Sequence, residues 1–239
     1  MKQRKTIGIL GGMGPEATSY MFQLIIKHTK AEKDQEHAPV IVVSHPHIPP
    51  RTDAILGKGP DPTPFIIEAV SVLKKAGADF IIMPCITAHY FLPKITNQSP
   101  LPFLNLLNET ALWVKNKLPE VKKLGLISSS GTISSRLFHR ALAEEGLAVI
   151  HPQEERQRLV MEAIFGPSGI KAGQTEGPPK DIIIKTARAL IERGAQAIIA
   201  GCTEVPIVLK QEDISAPLVE PMKIGALKAI KTAGLQAKE

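Results

Sequence analysis

The chain contains two cysteines, and the sequences around them are closely matched. Cys85 follows the apolar run FIIMP, and Cys202, 117 residues further along, follows AIIAG. Each thiol is predicted to lie between the end of a strand and the start of a helix, where free N–H groups and the helix dipole lower a thiol pKa. A single cysteine is commonly a small buried apolar residue, but two in equivalent places indicate a shared chemical role.

Proton transfer at carbon is the chemistry that such a pair of thiols suits. If one thiolate removes a proton and the second thiol supplies a proton to the opposite face of the carbon, the stereocentre is inverted. Neither a metal nor an organic cofactor is then needed, as long as the site stabilises the carbanion. Two alternatives remain open: a nucleophilic Cys85 partnered by His89, which leaves Cys202 without a role, and a disulfide between the two cysteines.

An internal repeat surrounds the two cysteines. The segment LKKAGADFIIMPC, which ends at Cys85, aligns with LIERGAQAIIAGC, which ends at Cys202, and Leu, Gly, Ala, Ile, Ile and Cys are common to both. The same offset pairs Gly8 with Gly125. A helix, a Gly-Ala turn and a buried strand also recur in unrelated α/β proteins, but matches in one register favour a duplicated unit.

The alternation of short apolar runs with amphipathic stretches predicts an α/β fold. Short strands that are apolar throughout are typical of parallel sheets covered by helices on both faces, and ligands of such sheets bind at the carboxyl ends of the strands. Two Pro- and Gly-rich segments, Pro46–Pro64 and Gly166–Pro179, are predicted to be binding loops or lids. The predicted strands are Thr6–Leu10, Val40–Ser44, Phe80–Met83, Phe103–Leu106, Leu124–Ser128, Ala148–Ile150, Ala197–Ala200 and Leu218–Glu220. The predicted helices are Glu16–Lys30, Thr63–Ala76, Asn108–Lys117, Ser134–Glu145, Glu155–Phe165 and Asp181–Arg193.

A glycine-rich turn follows the first predicted strand in the stretch IGILGGMGPEATS. Its residues Gly12–Ala17 satisfy the G-x-G-x-x-G/A pattern of dinucleotide-binding turns. Such sites also need an acidic residue at the end of the second strand, whereas the predicted second strand here ends in Ser44-His45. The turn is therefore predicted to contact a small substrate, although a metabolite-binding module without turnover remains an alternative.

The composition limits the classes of partner. Of 239 residues, 44% are hydrophobic and 22% charged, with a formal net charge of +6. Because Lys and Arg are scattered and aromatics are few, we expect an anionic metabolite and no nucleic acid. No apolar stretch approaches the ~18 residues of a membrane span, and no secretory signal or disulfide framework is evident, so we expect a cytoplasmic protein with no membrane partner. His45 and His47 could begin a metal site, but no third ligand is suitably spaced, and we predict none.

Six segments of the chain resemble motifs of the aspartate/glutamate racemase family, particularly its aspartate racemases. The resemblance runs essentially from end to end, and its most specific parts are the GGMGP start and the two cysteine motifs. The segments are GGMGPEAT (11–18), IPPRT (48–52), MPCITAH (83–89), SSSGT (128–132), KAG (171–173) and GCTEVP (201–206).

This resemblance implies a fold, an assembly and a reaction. The implied fold is α/β, with two similar Rossmann-like lobes whose parallel sheets are related by a pseudo-twofold axis and an active site in the cleft between them. The first lobe would comprise residues 1–104 and 219–239, with the C-terminal segment packed back onto it, and the second lobe residues 105–218. The implied activity is cofactor-independent racemisation of an acidic amino acid, above all aspartate, by a homodimer.

The resemblance also assigns roles to individual residues. Cys85 and Cys202 would be the two acid/base groups, Met13 and Gly14 would belong to the glycine loop at the substrate, and Arg51 would bind an acidic group. The other implied roles are carboxylate binding by Thr87, Ser130, Gly131 and Thr132, binding of the side-chain carboxylate by Lys171, lining of the pocket by Thr203, and orientation or tuning of the thiols by His89 and Glu204.

Other interpretations of these residues remain open. Arg51 could be a solvated loop residue, Thr132 a helix-start residue and Glu204 a helix cap. Ile86 stands where the family usually has Asn, and Pro50 where relatives often have Asp before the loop arginine. Ile offers no amide to a ligand. The alternatives to aspartate therefore include glutamate, another acidic compound, and a single-cysteine isomerase or lyase acting on a dicarboxylate.

Overall fold

A computed structural model describes residues 4–238, which form an α/β structure. All eight predicted strands are confirmed, and their limits differ from the predicted ones by no more than two residues. The strands are Ile7–Gly11 (β1), Val40–Ser44 (β2), Phe80–Ile82 (β3), Phe103–Leu104 (β4), Lys123–Ile127 (β5), Ala148–Ile150 (β6), Ala197–Ala200 (β7) and Leu218–Val219 (β8).

Five of the six predicted helices are present as single helices, and residues 4–238 contain four α-helices that were not predicted, at 51–55, 92–96, 205–208 and 221–232. The stretch predicted as one helix over Ser134–Glu145 contains the last residue of one helix and the whole of another, because Arg136 between them has a left-handed backbone (φ 56°) that no α-helix continues through. The helices are Pro15–His28 (α1), Arg51–Ile55 (α2), Thr63–Lys75 (α3), Leu92–Thr96 (α4), Leu106–Lys117 (α5), Ser130–Ser134 (α6), Leu137–Ala143 (α7), Glu154–Phe165 (α8), Pro178–Glu192 (α9), Val205–Val208 (α10) and Pro221–Thr232 (α11). Short 3₁₀ helices lie at Asp34–Glu36, Thr87–Phe91, Ile170–Ala172 and Gln211–Asp213.

The strands form two parallel sheets with the same order. In the first sheet the order is β2-β1-β3-β4, and in the second it is β6-β5-β7-β8. The first strand of each sheet along the chain, β1 or β5, therefore occupies a central position. The strands that precede the cysteines, β3 and β7, lie directly beside β1 and β5. The expected α/β fold with two similar parallel sheets is confirmed.

The described chain divides into two compact units. The first contains the residues up to Glu109 together with those from Met222 onward, and the second contains Thr110–Pro221. The sequence-based limits after residues 104 and 218 differ slightly, and the second of them would divide β8, whose Val219 pairs with Ile199 in the second sheet. Each unit has its own buried apolar cluster.

The C-terminal segment packs within the first unit. Gly225 of α11 lies so close to Leu106 that a Cβ atom there would be 2.3 Å from its Cδ2. Beyond the helix, the backbone N–H of Lys30 donates to the carbonyl of Gln236 (2.9 Å), and that of Lys238 donates to the carbonyl of His28 (2.8 Å). The end of the chain is thereby fixed to the end of α1.

The sequence repeat has a physical counterpart in each unit. A Cβ atom added to Gly8 of β1 would lie 3.0–3.3 Å from Ala78 and Leu73, and one added to Gly125 of β5 would lie 3.0–3.1 Å from Leu190 and Ala195. These are the paired positions of the repeat. The glycine in the central strand of each sheet therefore lets the corresponding leucine and alanine of its unit approach the strand closely. We call these two sets of contacts, Gly8 with Leu73 and Ala78 and Gly125 with Leu190 and Ala195, the glycine seams.

Candidate active site

The glycine loop after β1 is closed by a side chain of its own helix. The backbone N–H of Gly12 donates to Thr18 Oγ1 (2.9 Å), and that hydroxyl donates to the carbonyl of Gly14 (2.8 Å). A Cβ atom at Gly11 would lie 2.2 Å from Thr18, and one at Gly12, whose φ is +90°, would lie 2.3 Å from the His45 backbone. Packing within the unit thus accounts for both glycines, and sequence reasoning gave Thr18 no role.

Arg51 joins the Pro-rich loop to the glycine loop. Its guanidinium donates to the carbonyls of Ile48 (2.9 Å) and Pro49 (2.8 Å) through one nitrogen and to that of Met13 (3.2 Å) through the other. Arg51 begins α2 and is only partly exposed, so it is not the fully solvated residue that was one alternative. Its Nε is buried without a hydrogen-bond partner among the described residues, which leaves one donor unsatisfied. The side chain of Met13 is buried in the core of the first unit.

Cys85 lies three residues after the end of β3, and its thiol is buried and free. Its carbonyl accepts a hydrogen bond from Nδ1 of His89 (3.0 Å), whose Nε2 lies 3.2 Å from the backbone N–H of Leu106. Because that N–H can only donate, Nε2 is the acceptor and the imidazole proton resides on Nδ1. Burial lowers the pKa of His89 to about 4, so the ring is neutral near pH 7. His89 therefore contacts the backbone of Cys85 and not its sulfur.

The residues after Cys85 lead into the 3₁₀ helix Thr87–Phe91. Ile86 precedes it and is buried, so its branched side chain packs into the protein. Thr87 is partly exposed at the first position of this helix.

Cys202 is bonded through its sulfur to a buried carboxylate. Its Sγ donates to Oε2 of Glu204 (2.9 Å), and the hydroxyl of Thr203 donates to the same oxygen (3.0 Å). The other oxygen, Oε1, is paired with the ammonium of Lys171. Glu204 is the N-cap residue of α10, but its side chain makes no capping hydrogen bond. Cys202, Thr203, Glu204 and Lys171 are here called the thiol–carboxylate cluster.

The environment of Cys202 raises the pKa of its thiol well above the usual value. Burial is the largest cause and the negative charge of Glu204 the second, while the positive charge of Lys171 acts in the opposite direction. The prediction that a helix start lowers this pKa is wrong, because α10 is only four residues long and the carboxylate is in direct contact with the sulfur. Lys171 also lies over the Phe165 ring, 5.5 Å from its centroid.

The SSSGT segment follows β5 and forms the start of α6. Ser129 is the N-cap, and its hydroxyl accepts from the backbone N–H of Thr132 and lies 3.2 Å from the Thr132 hydroxyl. Thr132 and Gly131 are buried. Three of the four residues assigned to carboxylate binding lie in this segment. Among these three, Thr132 is a helix-start residue, and Ser130 is the one that is partly exposed.

No group of three or more His, Cys, Asp and Glu residues is placed to bind a metal within residues 4–238. His45 and His47 are in edge-to-face contact with a centroid distance of 6.1 Å. In the same part of the chain, no helix is long and apolar enough to span a membrane.

Comparisons with known proteins agree with these motifs. The model of a family described as Asp/Glu/hydantoin racemase matches residues 10–229. The broad specificity amino-acid racemase RacX of Bacillus subtilis (strain 168) is 27% identical over 232 residues, which cover 95% of this chain and 97% of RacX. The structure of Picrophilus torridus aspartate racemase superposes with a TM-score of 0.87 and 28% identity over 98% of this chain and 96% of that one. A glutamate racemase from Francisella tularensis, solved with D-glutamate, shares the fold (TM-score 0.67, 14% identity, 100% and 85% coverage). The chain therefore belongs to the Asp/Glu/hydantoin racemase family and is an amino-acid racemase.

Proposed function

We propose that the protein racemises an acidic amino acid, aspartate foremost, with Cys85 and Cys202 as two acid/base groups and without a cofactor. The observation that carries this proposal is the thiol–carboxylate cluster, because it holds one of the two thiols in its protonated form. The relation to a protein named aspartate racemase, at a TM-score of 0.87 over nearly the whole chain, supports aspartate as the first substrate to test.

In the proposed reaction the two thiols act on opposite faces of one α-carbon. The Cys85 thiolate takes the α-proton of one enantiomer, so the C–H bond breaks, an S–H bond forms and a carbanion remains. The S–H bond of Cys202 then breaks and its proton goes to the other face, which gives the opposite enantiomer. The reverse reaction uses the thiols in the opposite roles.

Lys171 and Glu204 suit this exchange of roles. After the transfer Cys202 is a thiolate beside a carboxylate, and two adjacent negative charges repel each other. The Lys171 ammonium, paired with Glu204, offsets part of that repulsion. We propose that Lys171 serves Cys202 in this way in the absence of substrate, and that it also binds a substrate carboxylate as the family resemblance implied.

A carbanion next to a carboxylate needs donors in place before the proton moves. We propose Arg51, with its unsatisfied buried Nε–H, and the partly exposed hydroxyls of Ser130 and Thr87 as donors to the carboxylates. The formal net charge of +6 favours an anionic substrate over a neutral one.

A wider substrate range is the second candidate. Ile86 places an apolar side chain where, by the family resemblance, an Asn amide is usual. In addition, the relative of 27% identity is named a broad specificity amino-acid racemase. An apolar surface at this position would discriminate less strongly among side chains, because it makes no hydrogen bond that a wrong substrate would leave unpaired.

The test is proton NMR of single enantiomers incubated with the protein in D2O. L- and D-aspartate, L- and D-glutamate, and the enantiomers of lysine and alanine are followed separately, with chiral chromatography of the same samples. Loss of the α-proton signal together with formation of the other enantiomer supports the proposal. Turnover of the two acidic amino acids alone favours the first candidate, and turnover of lysine or alanine at a comparable rate favours the second. No exchange with any of them contradicts both.

A further inference from the structure

We propose that Gln157, a residue of α8 to which sequence reasoning gave no role, is a positioning residue that aims the Ser130 hydroxyl at the substrate. Gln157 Nε2 donates to the carbonyl of Ser128 (2.9 Å) and lies 3.2 Å from Ser130 Oγ. One side-chain amide thus holds both the backbone and the hydroxyl of the loop that follows β5. The proposal rests on the proposed function, in which Ser130 binds a substrate carboxylate.

The orientation of the Gln157 amide is fixed by its partners. The carbonyl of Ser128 can only accept, so the group that faces it is the NH2 group and not Oε1. The second hydrogen of that NH2 group is then directed to Ser130 Oγ. A hydroxyl that accepts from an amide in this way keeps its own hydrogen for another acceptor, so Ser130 is held as a donor.

The same helix holds the backbone of Ser130 one turn further along. The N–H of Ser130 donates to Sδ of Met161 (3.2 Å), four residues after Gln157 on α8. Ser130 also lines a cavity of about 530 Å³ beside one face of this helix. Ser130 is therefore held through its hydroxyl by Gln157 and through its backbone N–H by Met161, and it borders a space that is large enough to hold a ligand group.

The amide oxygen of Gln157 indicates that the residue is present for the hydrogen bonds that its NH2 group donates. Gln157 Oε1 is buried and has no hydrogen-bond partner within residues 4–238. A buried acceptor without a donor is unfavourable for stability, and such exceptions in native proteins call for an explanation. The orientation of Ser130 supplies one, since an apolar side chain of similar length would avoid the unsatisfied oxygen but would release the hydroxyl.

The experiment compares Gln157→Met, which has similar length and no donor, with Gln157→Glu, which can accept from Ser130 but cannot donate to it. Two quantities are measured: KM and kcat for aspartate, and the calorimetric Kd of succinate, a dicarboxylate whose binding needs no turnover. We expect Gln157→Met to raise KM and Kd about tenfold and to change kcat less than twofold. Gln157→Glu should raise KM and Kd further, because the carboxylate draws the hydrogen of the Ser130 hydroxyl away from the ligand. Gln153→Glu, the same change one turn earlier at an exposed position, is the control and should leave both constants within twofold.

Ser130→Ala decides whether Gln157 acts through Ser130. In that background Gln157→Met should raise KM and Kd less than twofold, because the hydroxyl that it positions is gone. An equal rise with and without Ser130, or unchanged constants in Gln157→Met with the wild-type serine, would overturn the proposal. Thermal unfolding of each variant identifies any that fails to fold, and the two substitutions at Gln157 give independent chances of a folded protein. A wild-type protein that binds succinate but racemises nothing would sink the proposed function alone, and the Kd values would still test Gln157.

Discussion

The surroundings of the two cysteines differ although the elements that carry them are alike. Each cysteine follows a strand next to the central glycine strand of a four-stranded parallel sheet. At Cys85 the neighbouring polar side chain, His89, bonds to the backbone carbonyl, whereas at Cys202 the neighbouring Glu204 bonds to the sulfur. The repeated scaffold thus sets the position of each cysteine, and the nearby polar side chain differs in whether it bonds to the backbone, as at Cys85, or to the sulfur, as at Cys202.

His89 therefore has a structural role beside Cys85, whereas Glu204 has an electrostatic role beside Cys202. The neutral ring of His89 places the loop through two hydrogen bonds and brings no charge near the thiol. Glu204 and Lys171 bring opposite charges to the second thiol and act on its pKa in opposite directions. We therefore expect substitutions near Cys85 to change stability first, and substitutions near Cys202 to change the acidity of the thiol first.

The largest effect is expected from removing either sulfur. Cys85→Ala and Cys202→Ala should each lower the rate of racemisation by about 10²–10⁴-fold, since each removes one of the two proposed acid/base groups. Each remaining thiol can still exchange the α-proton from its own face, so in D2O each variant should deuterate one enantiomer without inverting it, and the two variants should choose opposite enantiomers. NMR with chiral analysis provides the measurement. Full racemisation by either single variant would end the two-base assignment.

A smaller effect, of about tenfold on kcat, is expected from the charges beside Cys202. Glu204→Gln should lower the pKa of the Cys202 thiol because it removes a neighbouring negative charge, and Lys171→Met should raise it because it removes the compensating positive charge. The measurement is the pH dependence of alkylation by iodoacetamide, followed by mass spectrometry on the peptide that contains Cys202. Glu212→Gln, an exposed residue of the same unit, is the control. Shifts of the same sign in the two variants would contradict the arrangement seen here.

The smallest effect on turnover, and the clearest effect on stability, is expected at His89. Its pKa falls from 6.5 in the unfolded chain to about 4 in the folded protein, so the unfolded state binds the additional proton. The contribution of the neutral His89 ring to the free energy of unfolding is therefore complete above pH 6.5. As the pH falls towards 4, the free energy of unfolding decreases by roughly 3 kcal/mol because of this residue. Denaturant unfolding of the wild type and His89→Phe at several pH values measures it. The variant should lose stability near pH 7, because the Leu106 N–H and the Cys85 carbonyl lose their partner, and should show a weaker decline below pH 6.5.

A decline of the same size in His89→Phe and in the wild type would assign the acid sensitivity to other groups. His47→Gln, at an exposed position, controls for the loss of a histidine as such.

The elements of this fold could be predicted because their signals are local. The apolar runs that became β1 and β7 contain no polar residue, and a parallel strand buried on both faces requires that. The break at Arg136 carried no such signal, since arginine is a good helix former and the left-handed backbone depends on how α6 and α7 pack. The short helices α2 and α10 lie in segments that were predicted to be loops or were left unassigned, because four or five residues are too few for a periodic pattern.

The candidate site divides in the same way. The cysteines, Glu204 and Lys171 could be named from motifs, but the pairing of Lys171 with Glu204 joins residues 33 positions apart, and spacing along the chain does not reveal it. The sign of the pKa change at Cys202 was mispredicted because burial of the thiol, the largest cause, depends on the tertiary structure. Glu204 is only two residues away, but the sequence does not show that its carboxylate turns towards the sulfur. Thr18 and Gln157 have common residue types in ordinary helices, and only their hydrogen bonds distinguish them.

The glycine seams bear on how the two halves of such a molecule can diverge. Because Gly8 and Gly125 let helix and strand approach closely in each unit, the strand beside the one that leads to each cysteine is packed through contacts that involve neither sulfur. Replacing a residue beside one thiol therefore leaves the contacts at the glycine seam unchanged. A duplicated gene built on this plan can acquire a different partner for the cysteine in each half, one substitution at a time, while both sulfur atoms that we propose as acid/base groups are kept.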